Sequence, residues 1–245
     1  MYKFFGITNN NIALSVILII LSLITFGITL SLSIPQLIHS IKVRKTHPDT
    51  KYYSFWLFYI GLLGWIIFGG FGQQKLASAL YANSICVFIY SFVLFFLYKD
   101  SIKKWRQKNA LWVLVGTLIF NSLIVILSFL AFYGVIHDFS NPKYTSLDLL
   151  FAQITPMLTT FAFLPQILKG FETKNFGTMS KGMVLLFTAN NIFWILYFIF
   201  TGINDKAFES LISPLIFQTL SLVIYGSQYG LMTRISLKEK QNVQK

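Results

Sequence analysis

The sequence predicts an all-α membrane protein with seven transmembrane helices in a 3+1+3 arrangement: two parallel triple-helix bundles joined by an inversion-linker helix, the fourth. The first observation is composition, because 55% of the 245 residues are hydrophobic and 11% are charged, against about 25% charged in a typical soluble domain. The second is a series of long charge-poor stretches. The third is a local pattern that recurs in both halves of the chain and indicates a repeat architecture.

Seven charge-poor stretches are long enough to cross a bilayer as helices, which takes about 20 apolar residues. The first of them lacks the basic segment of a signal peptide and is interpreted as a transmembrane helix. Two connections are very short, so spans 2 and 3, like spans 6 and 7, are expected to form antiparallel pairs. The spans run over residues 12–41, 54–74, 76–98, 110–136, 147–168, 182–203 and 207–233.

Basic residues cluster on one side of the predicted membrane. Sixteen of the 20 Lys and Arg residues fall in the first, third and fifth connections and the C-terminal segment, and such residues mark the cytoplasmic side. The N-terminus is therefore predicted outside and the C-terminus in the cytoplasm. Lys far outnumbers Arg, and Phe, Ile and Asn are frequent, which is typical of an AT-rich bacterial genome and favours a bacterial plasma membrane.

The remaining composition argues against several functional classes. The net charge is +12, but the cations lie in short clusters rather than on one face, so no nucleic-acid partner is expected. Cys86 is the single cysteine and the three histidines at 39, 47 and 137 are scattered; no metal site and no cofactor are expected. No nucleophile, base and orienting group stand at a plausible spacing, so the chain is not expected to be an enzyme.

The segments SIPQLIH and FLPQILK each place a Pro-Gln pair near the end of an apolar run, ahead of a basic connection. The pairs are Pro35–Gln36 and Pro165–Gln166. Proline inside a helix removes a hydrogen bond and clashes with the preceding turn, so its recurrence needs a reason. Trp65 and Trp194 follow the two prolines by 30 and 29 residues, and this shared spacing predicts an internal repeat.

The repeat divides the chain into four parts. We predict a first triple-helix repeat over 12–98, a linker helix over 110–136, a second repeat over 147–233 and a cytoplasmic tail over 234–245. Three helices per unit would invert the second copy, and the linker helix restores its direction. Parallel repeats are related by an axis along the membrane normal, with substrate sites near the midplane where they meet.

These motifs resemble those of the PQ-loop superfamily, and the two-repeat layout is similar to its SWEET and SemiSWEET (MtN3/saliva-type) sugar facilitators. The resemblance covers nearly the whole chain; LPQILKGFETKNFGTMS in the second repeat fits best, whereas the first repeat departs from the pattern at THPDTKYYS. It implies an alternating-access transporter in which a third-helix asparagine of each repeat faces the substrate. Asn83 holds that place in the first repeat and Ser213 stands there in the second, so an asymmetric pocket is expected.

No ionisable side chain is expected at mid-depth in the membrane, where such groups mark proton or ion paths. Asp148 and Glu209 fall near the outer ends of their helices, where water is expected to reach them. His39, one turn after Gln36, is interpreted as an interfacial residue. The sequence leaves proton coupling through these groups open, and a pathway without buried charge favours an uncharged solute.

Two tryptophans lie deeper than the aromatic belts of membrane proteins. Trp65 stands 11 residues into its helix, about 16 Å from the end, and Trp194 is similarly deep. One interpretation is core packing; the other is a pair of flat faces lining a midplane cavity for a sugar ring. Asn190 shares a helix face with Trp194, and Asn191 lies beside it. Gly61 holds the corresponding place before Trp65 and is expected to widen that side of the cavity.

Other polar residues within the spans are also candidates for substrate binding, although such residues more often join helices by hydrogen bonds. They are Gln218, Gln153, Thr159 and Thr160. The prolines suggest a second role, because a proline in a membrane helix frees a carbonyl that neighbouring polar groups satisfy. We expect helices 1 and 5 to flex at Pro35 and Pro165, with Gln36 and Gln166 as the adjacent donors, and so to open and close the cytoplasmic side.

The sequence therefore favours a passive, uniporter-like carrier of a small neutral solute, a sugar first of all. One alternative is a carrier of an amino acid or another metabolite within the same superfamily. Another is a membrane receptor or assembly subunit that binds a ligand without moving it. The expected partners are the lipid bilayer and the solute; two repeats make a monomer sufficient for one pathway, and a higher oligomer stays open.

Overall fold

The computed structural model describes residues 11–48, 50–173, 181–206 and 208–243. Every regular element in these ranges is helical, so the predicted all-α fold is confirmed. A short 3-10 helix, Pro142–Tyr144, precedes α6. The α-helices are α1 (Ile12–Ser31), α2 (Ile34–Val43), α3 (Tyr52–Phe71), α4 (Ala77–Lys99), α5 (Lys104–Phe132), α6 (Thr145–Phe161), α7 (Leu164–Thr173), α8 (Lys181–Asp205) and α9 (Glu209–Val243).

Within the described residues, six helical segments are long and apolar enough to cross a membrane. They are α1 with α2 (Ile12–Val43), α3, α4, α5, α8 and the part of α9 over Glu209–Leu237. The chain is therefore a multi-pass membrane protein. The predicted span 147–168 falls on α6 and α7, of 17 and 10 residues, and is not among these six segments. The count of seven spans stays a prediction.

The two Pro-Gln motifs begin helices instead of interrupting them, which corrects the expectation of a proline inside a continuous helix. α1 ends at Ser31 and α2 begins at Ile34, so Pro35 stands in the first turn of α2, where its missing N–H removes no helical hydrogen bond. Pro165 occupies the same place in α7. The two breaks, at residues 32–33 and 162–163, match at the repeat spacing of 130 residues.

The helices pack in the same order in both halves of the chain. α4 contacts both α1 and α3, and α9 contacts both α6 and α8, so the third long helix of each half lies between the first and the second. Between the halves, α3 packs on α6 and α1 packs on α8, while α5 packs on α3 and α4. This matching order supports two repeats joined by a linker helix, a division that stays a prediction.

The contact between α3 and α6 is close because glycines face threonines across it. A Cβ added to Gly61 would lie 2.5 Å from Thr159 Cγ2, and one added to Gly64 would lie 2.5 Å from Thr155 Oγ1. Gly61 was expected to widen the cavity, but the methyl group of Thr159 occupies the space beside it. Gly61 therefore serves close helix packing.

Candidate functional site

A small cavity lies where the two halves of the molecule meet, lined by residues of α1, α3, α4, α6, α8 and α9. Its volume is about 30 Å³, roughly the share of liquid volume that one water molecule takes. Ser213, on α9, is partly buried and does not line it. The candidate substrate-binding residues that the structure brings together around the cavity are Trp65, Trp194, Asn83, Asn190, Asn191, Gln218 and Thr159, whereas Gln153 and Thr160 do not line it.

The two deep tryptophans stack on each other at the cavity. The ring centroids of Trp65 and Trp194 are 5.9 Å apart at an interplanar angle of 25°, and the side chains are 6% and 3% exposed. Trp65 also stacks on Phe198 at 6.2 Å. The indoles line the cavity and pack as core at once, and a ring-shaped solute between them would have to separate them.

Each indole donates a hydrogen bond to a threonine of the other half. Trp194 Nε1 donates to Thr29 Oγ1 at 2.9 Å, and Trp65 Nε1 donates to Thr159 Oγ1 at 3.4 Å. Thr29 and Thr159 each stand six residues before a motif proline. Sequence analysis missed Thr29, and its spacing from Pro35, equal to that of Thr159 from Pro165, is the signal that could have found it.

The two sides of the cavity differ in how the threonine bond continues. On the Trp194 side, formed by Trp194, Thr29 and Asn190, Thr29 Oγ1 donates onward to Asn190 Oδ1 at 2.9 Å. On the Trp65 side, formed by Trp65, Thr159 and Gly61, Gly61 stands in the place of Asn190. There Thr159 Oγ1 bonds its own helix, at the Thr155 and Pro156 carbonyl oxygens, 3.3 and 3.1 Å away. The polar chain therefore exists on one side only.

Three more amides border the cavity. Asn83 Nδ2 donates to the Ala79 carbonyl of its own helix at 2.7 Å, and Asn191 Nδ2 donates to Ser221 Oγ at 3.0 Å. Gln218 is 7% exposed, and its Oε1 atom is buried without a hydrogen-bond partner. A buried acceptor left unpaired costs about 1–3 kcal/mol, and a donor on a bound molecule would remove that cost.

Packed aromatic rings border the cavity toward both ends of the helices. Toward the helix breaks, Phe58 meets Phe163 and Phe187 at 5.4 and 5.2 Å between ring centroids. Toward the other end, Trp194 meets Tyr197 at 5.3 Å and Phe198 at 5.1 Å. Packed aromatic rings therefore border the cavity toward both ends.

The predicted hinge residues lie at the two breaks. Gln36 is buried, its Oε1 atom has no hydrogen-bond partner, and no described contact joins its amide to a carbonyl freed by Pro35. It lines a separate pocket of about 380 Å³ with His39 and Asp100. Gln166 belongs to α7, and its side chain lies outside the described part of the chain.

Charged groups lie at the helix ends that are farthest from the two breaks, and the position of one of these groups corrects an expectation. Asp148 was expected to meet water, but it is 2% exposed, because the connection after α3 covers it and Gln73 N donates to its Oδ1 at 3.2 Å. Glu209 is exposed as expected. Nearby, Lys75 Nζ lies 2.6 Å from Asp138 Oδ2.

Asp138 stands in the loop before the short 3-10 helix, outside the spans. Burial raises the pKa of its carboxyl, but hydrogen bonds from Lys75 and Ser140 and the charge of Lys75 outweigh burial and lower the pKa from its usual 3.8 to about 2.

Comparison with known families adds one finding. A family model described as PQ loop repeat matches residues 151–207, a segment inside the predicted second repeat that includes Pro165 and Trp194. The resemblance drawn from the motifs is confirmed there, and the chain is consistent with a PQ-loop family protein. In a multi-pass membrane protein this repeat indicates a member of a membrane transporter or carrier family. No curated protein matches the chain.

Proposed function

We propose that this protein is an alternating-access, uniporter-like facilitator that carries a small neutral solute, a sugar first of all, and resembles SWEET proteins in its mechanism. The observation that carries the proposal is the cavity between the halves. Among the described residues that line it none is charged, and amide, hydroxyl and indole groups are brought together instead. Such groups bind hydroxylated solutes by hydrogen bonds and by ring faces.

The small volume of the cavity supports a cycle with at least two further conformations. A cavity of about 30 Å³ admits no sugar, so binding requires Trp65 and Trp194 to separate. The helix breaks before Pro35 and Pro165 supply places where α2 and α7 can move relative to α1 and α6. We propose that this movement opens the cytoplasmic side.

The same proposal covers topology and setting. We infer a bacterial plasma membrane, with the N-terminus outside and the C-terminus cytoplasmic, from the side on which Lys and Arg cluster. Two halves around one cavity make a monomer sufficient for one pathway, and a higher oligomer is compatible with it. We propose no catalytic role, no cofactor and no nucleic-acid partner.

One observation favours a second candidate, a receptor or assembly subunit that binds without transporting. Stacked indoles and aromatic layers on both sides of the cavity are also what a permanently closed protein would have. A carrier of an amino acid or other metabolite is the alternative within transport, and a panel of solutes decides that question.

The test is uptake of labelled sugars, amino acids and vitamins by proteoliposomes that contain the purified protein. We expect one sugar to exchange across the membrane with saturation, and Trp194→Ala to abolish its uptake. Trp105→Ala is the control, because Trp105 is 55% exposed and distant from the cavity. Saturable binding without exchange would establish the receptor instead, and normal uptake by Trp194→Ala would place the solute elsewhere.

A further inference from the structure

An apolar groove runs along the outside of the molecule between α5 and α6, with α3 as its floor. Its volume is about 650 Å³, far larger than the central cavity. α5 packs on α3 and α4, and the groove is the space left between α5 and α6. Residues that line it include Trp56 and Ile67 of α3, Trp112 and Ile124 of α5, and Leu150 and Leu158 of α6.

The length of the groove matches one leaflet of a bilayer. On the floor of the groove, Ile67 follows Trp56 by 11 residues, about 16 Å along α3 at 1.5 Å per residue. The hydrocarbon core of a bilayer is about 30 Å thick, so one leaflet contributes about half of that. A single acyl chain lying along the groove would therefore run from the leaflet surface to the membrane centre.

One end of the groove is basic. Tyr52 lies one turn before Trp56, and the guanidinium of Arg106 stands 3.6 Å above the Tyr52 ring. The Nε atom of Arg106 is buried without a hydrogen-bond partner. Lys108 is exposed and lies one turn before Trp112 on the same face of α5. Two cations thus stand where a lipid phosphate at the membrane surface would lie.

We propose that the groove binds an anionic phospholipid, with one acyl chain between α5 and α6 and the phosphate at Arg106 and Lys108. Room for the chain is present at Gly116, because an added Cβ there would meet no atom within 4 Å. The groove is also lined by Gly64 and Thr155, which belong to the close contact of α3 with α6. The lipid would cover the contact on whose other face the central cavity lies.

Gly116→Leu tests the acyl-chain position. The added side chain fills the groove without displacing an atom, and Gly27→Leu is its control, because Gly27 is exposed on α1 and also has no atom within 4 Å of an added Cβ. Native mass spectrometry would follow phosphatidylglycerol retained by the purified protein. We expect Gly116→Leu to lower retention about fivefold or more, and Gly27→Leu to leave it unchanged.

Lys108→Glu tests the phosphate position, with Lys103→Glu as a control at an exposed residue just before α5. The wild-type protein should retain phosphatidylglycerol over phosphatidylcholine of the same acyl chains, and only Lys108→Glu should remove that preference. Equal retention of the two lipids by the wild-type protein, or full retention by Gly116→Leu, would overturn the proposal. So would a dimer that Gly116→Leu dissociates in light scattering, because the groove would then hold a second copy of the chain.

Discussion

The two sides of the central cavity share a scaffold and differ in chemistry. On both sides an indole N–H meets a threonine hydroxyl of the other half. On the Trp194 side the threonine donates onward to Asn190. On the Trp65 side that position is Gly61, and a threonine methyl group fills the space. Repetition places the rings and hydroxyls in pairs, whereas one residue on each side decides whether a polar chain or a close helix contact forms.

This difference assigns separate tasks to the two sides. We infer that the Trp194 side binds the solute, because it offers an amide and a hydroxyl beside an indole face. The Trp65 side holds α3 close to α6 in this conformation, because Gly61 and Gly64 allow the two backbones to approach. Substitutions that make the two sides more alike, or that remove the feature by which one side differs, test this division of tasks.

The largest effect is expected when Gly61 is made to match its counterpart. In Gly61→Asn the new Cβ would lie 2.5 Å from Thr159 Cγ2 and 3.2 Å from Thr159 N. Overpacking of this kind costs about 1–3 kcal/mol, so we expect a lower melting temperature in detergent and little uptake.

Thr159→Ser in the same chain removes the crowded methyl group and should recover part of the stability. An unchanged melting temperature in Gly61→Asn would show that α3 and α6 do not depend on this close approach.

A smaller effect is expected when the polar chain of the Trp194 side is cut. Asn190→Ala leaves the hydroxyl of Thr29 without its acceptor, at a cost of about 1–3 kcal/mol, and removes an amide from the cavity. We expect the KM for the transported solute to rise about tenfold. Asn83→Ala is the matched comparison, because the Asn83 amide donates within its own helix, and its KM should change less. The reverse order would assign solute binding to Asn83 instead of Asn190.

The smallest effect on stability is expected at the helix ends farthest from the two breaks, where the two halves also differ. In the first half, Lys75 pairs with Asp138 of the loop that follows α5, whereas the second half has a hydrogen bond from Asn204 Nδ2 to Asp205 Oδ1 at 2.6 Å. Because the folded pKa of Asp138 is lowered to about 2, the pair stabilises the fold above about pH 4 and loses its effect as pH falls toward 2.

The pair is partly exposed, at 27% and 21%, so its contribution is below about 1 kcal/mol. We expect thermal melting of the wild-type protein to fall between pH 4 and pH 2 by slightly more than that of Asp138→Asn. Parallel melting curves for the two proteins would show that this ion pair contributes nothing.

Several residues that line the cavity could be predicted from the sequence, because the pattern that marks them recurs at matched spacing in the two halves. Trp65 and Trp194 stand out as deep aromatics at matched spacing, and Asn190 follows from the helical period. Thr29 was missed because one hydroxyl in an apolar run resembles any other helix residue until it is aligned with Thr159. The motif prolines were expected inside helices, since apolarity continues across both breaks and only backbone geometry shows where a helix ends.

The remaining differences depend on contacts between segments that no local pattern encodes. Gly61 was expected to leave open space in the cavity. Because α6 packs against α3 there, the methyl group of Thr159 fills that space. Asp148 was expected in water, and the connection after α3 buries it. Ser213 was matched to Asn83 by alignment alone, and the rotation of α9 leaves it off the cavity.

If the two halves part at this cavity during transport, a reversible lock across it should stop transport. A Cβ added to Gly64 would lie 3.2 Å from Thr155 Cβ, near the 3.5–4.5 Å of a disulfide. We would measure counterflow of the solute identified by the uptake panel, in Gly64→Cys/Thr155→Cys with Cys86→Ser. We expect no exchange when the pair is oxidised and recovery on reduction; equal exchange in both states would show that the halves do not part at this contact.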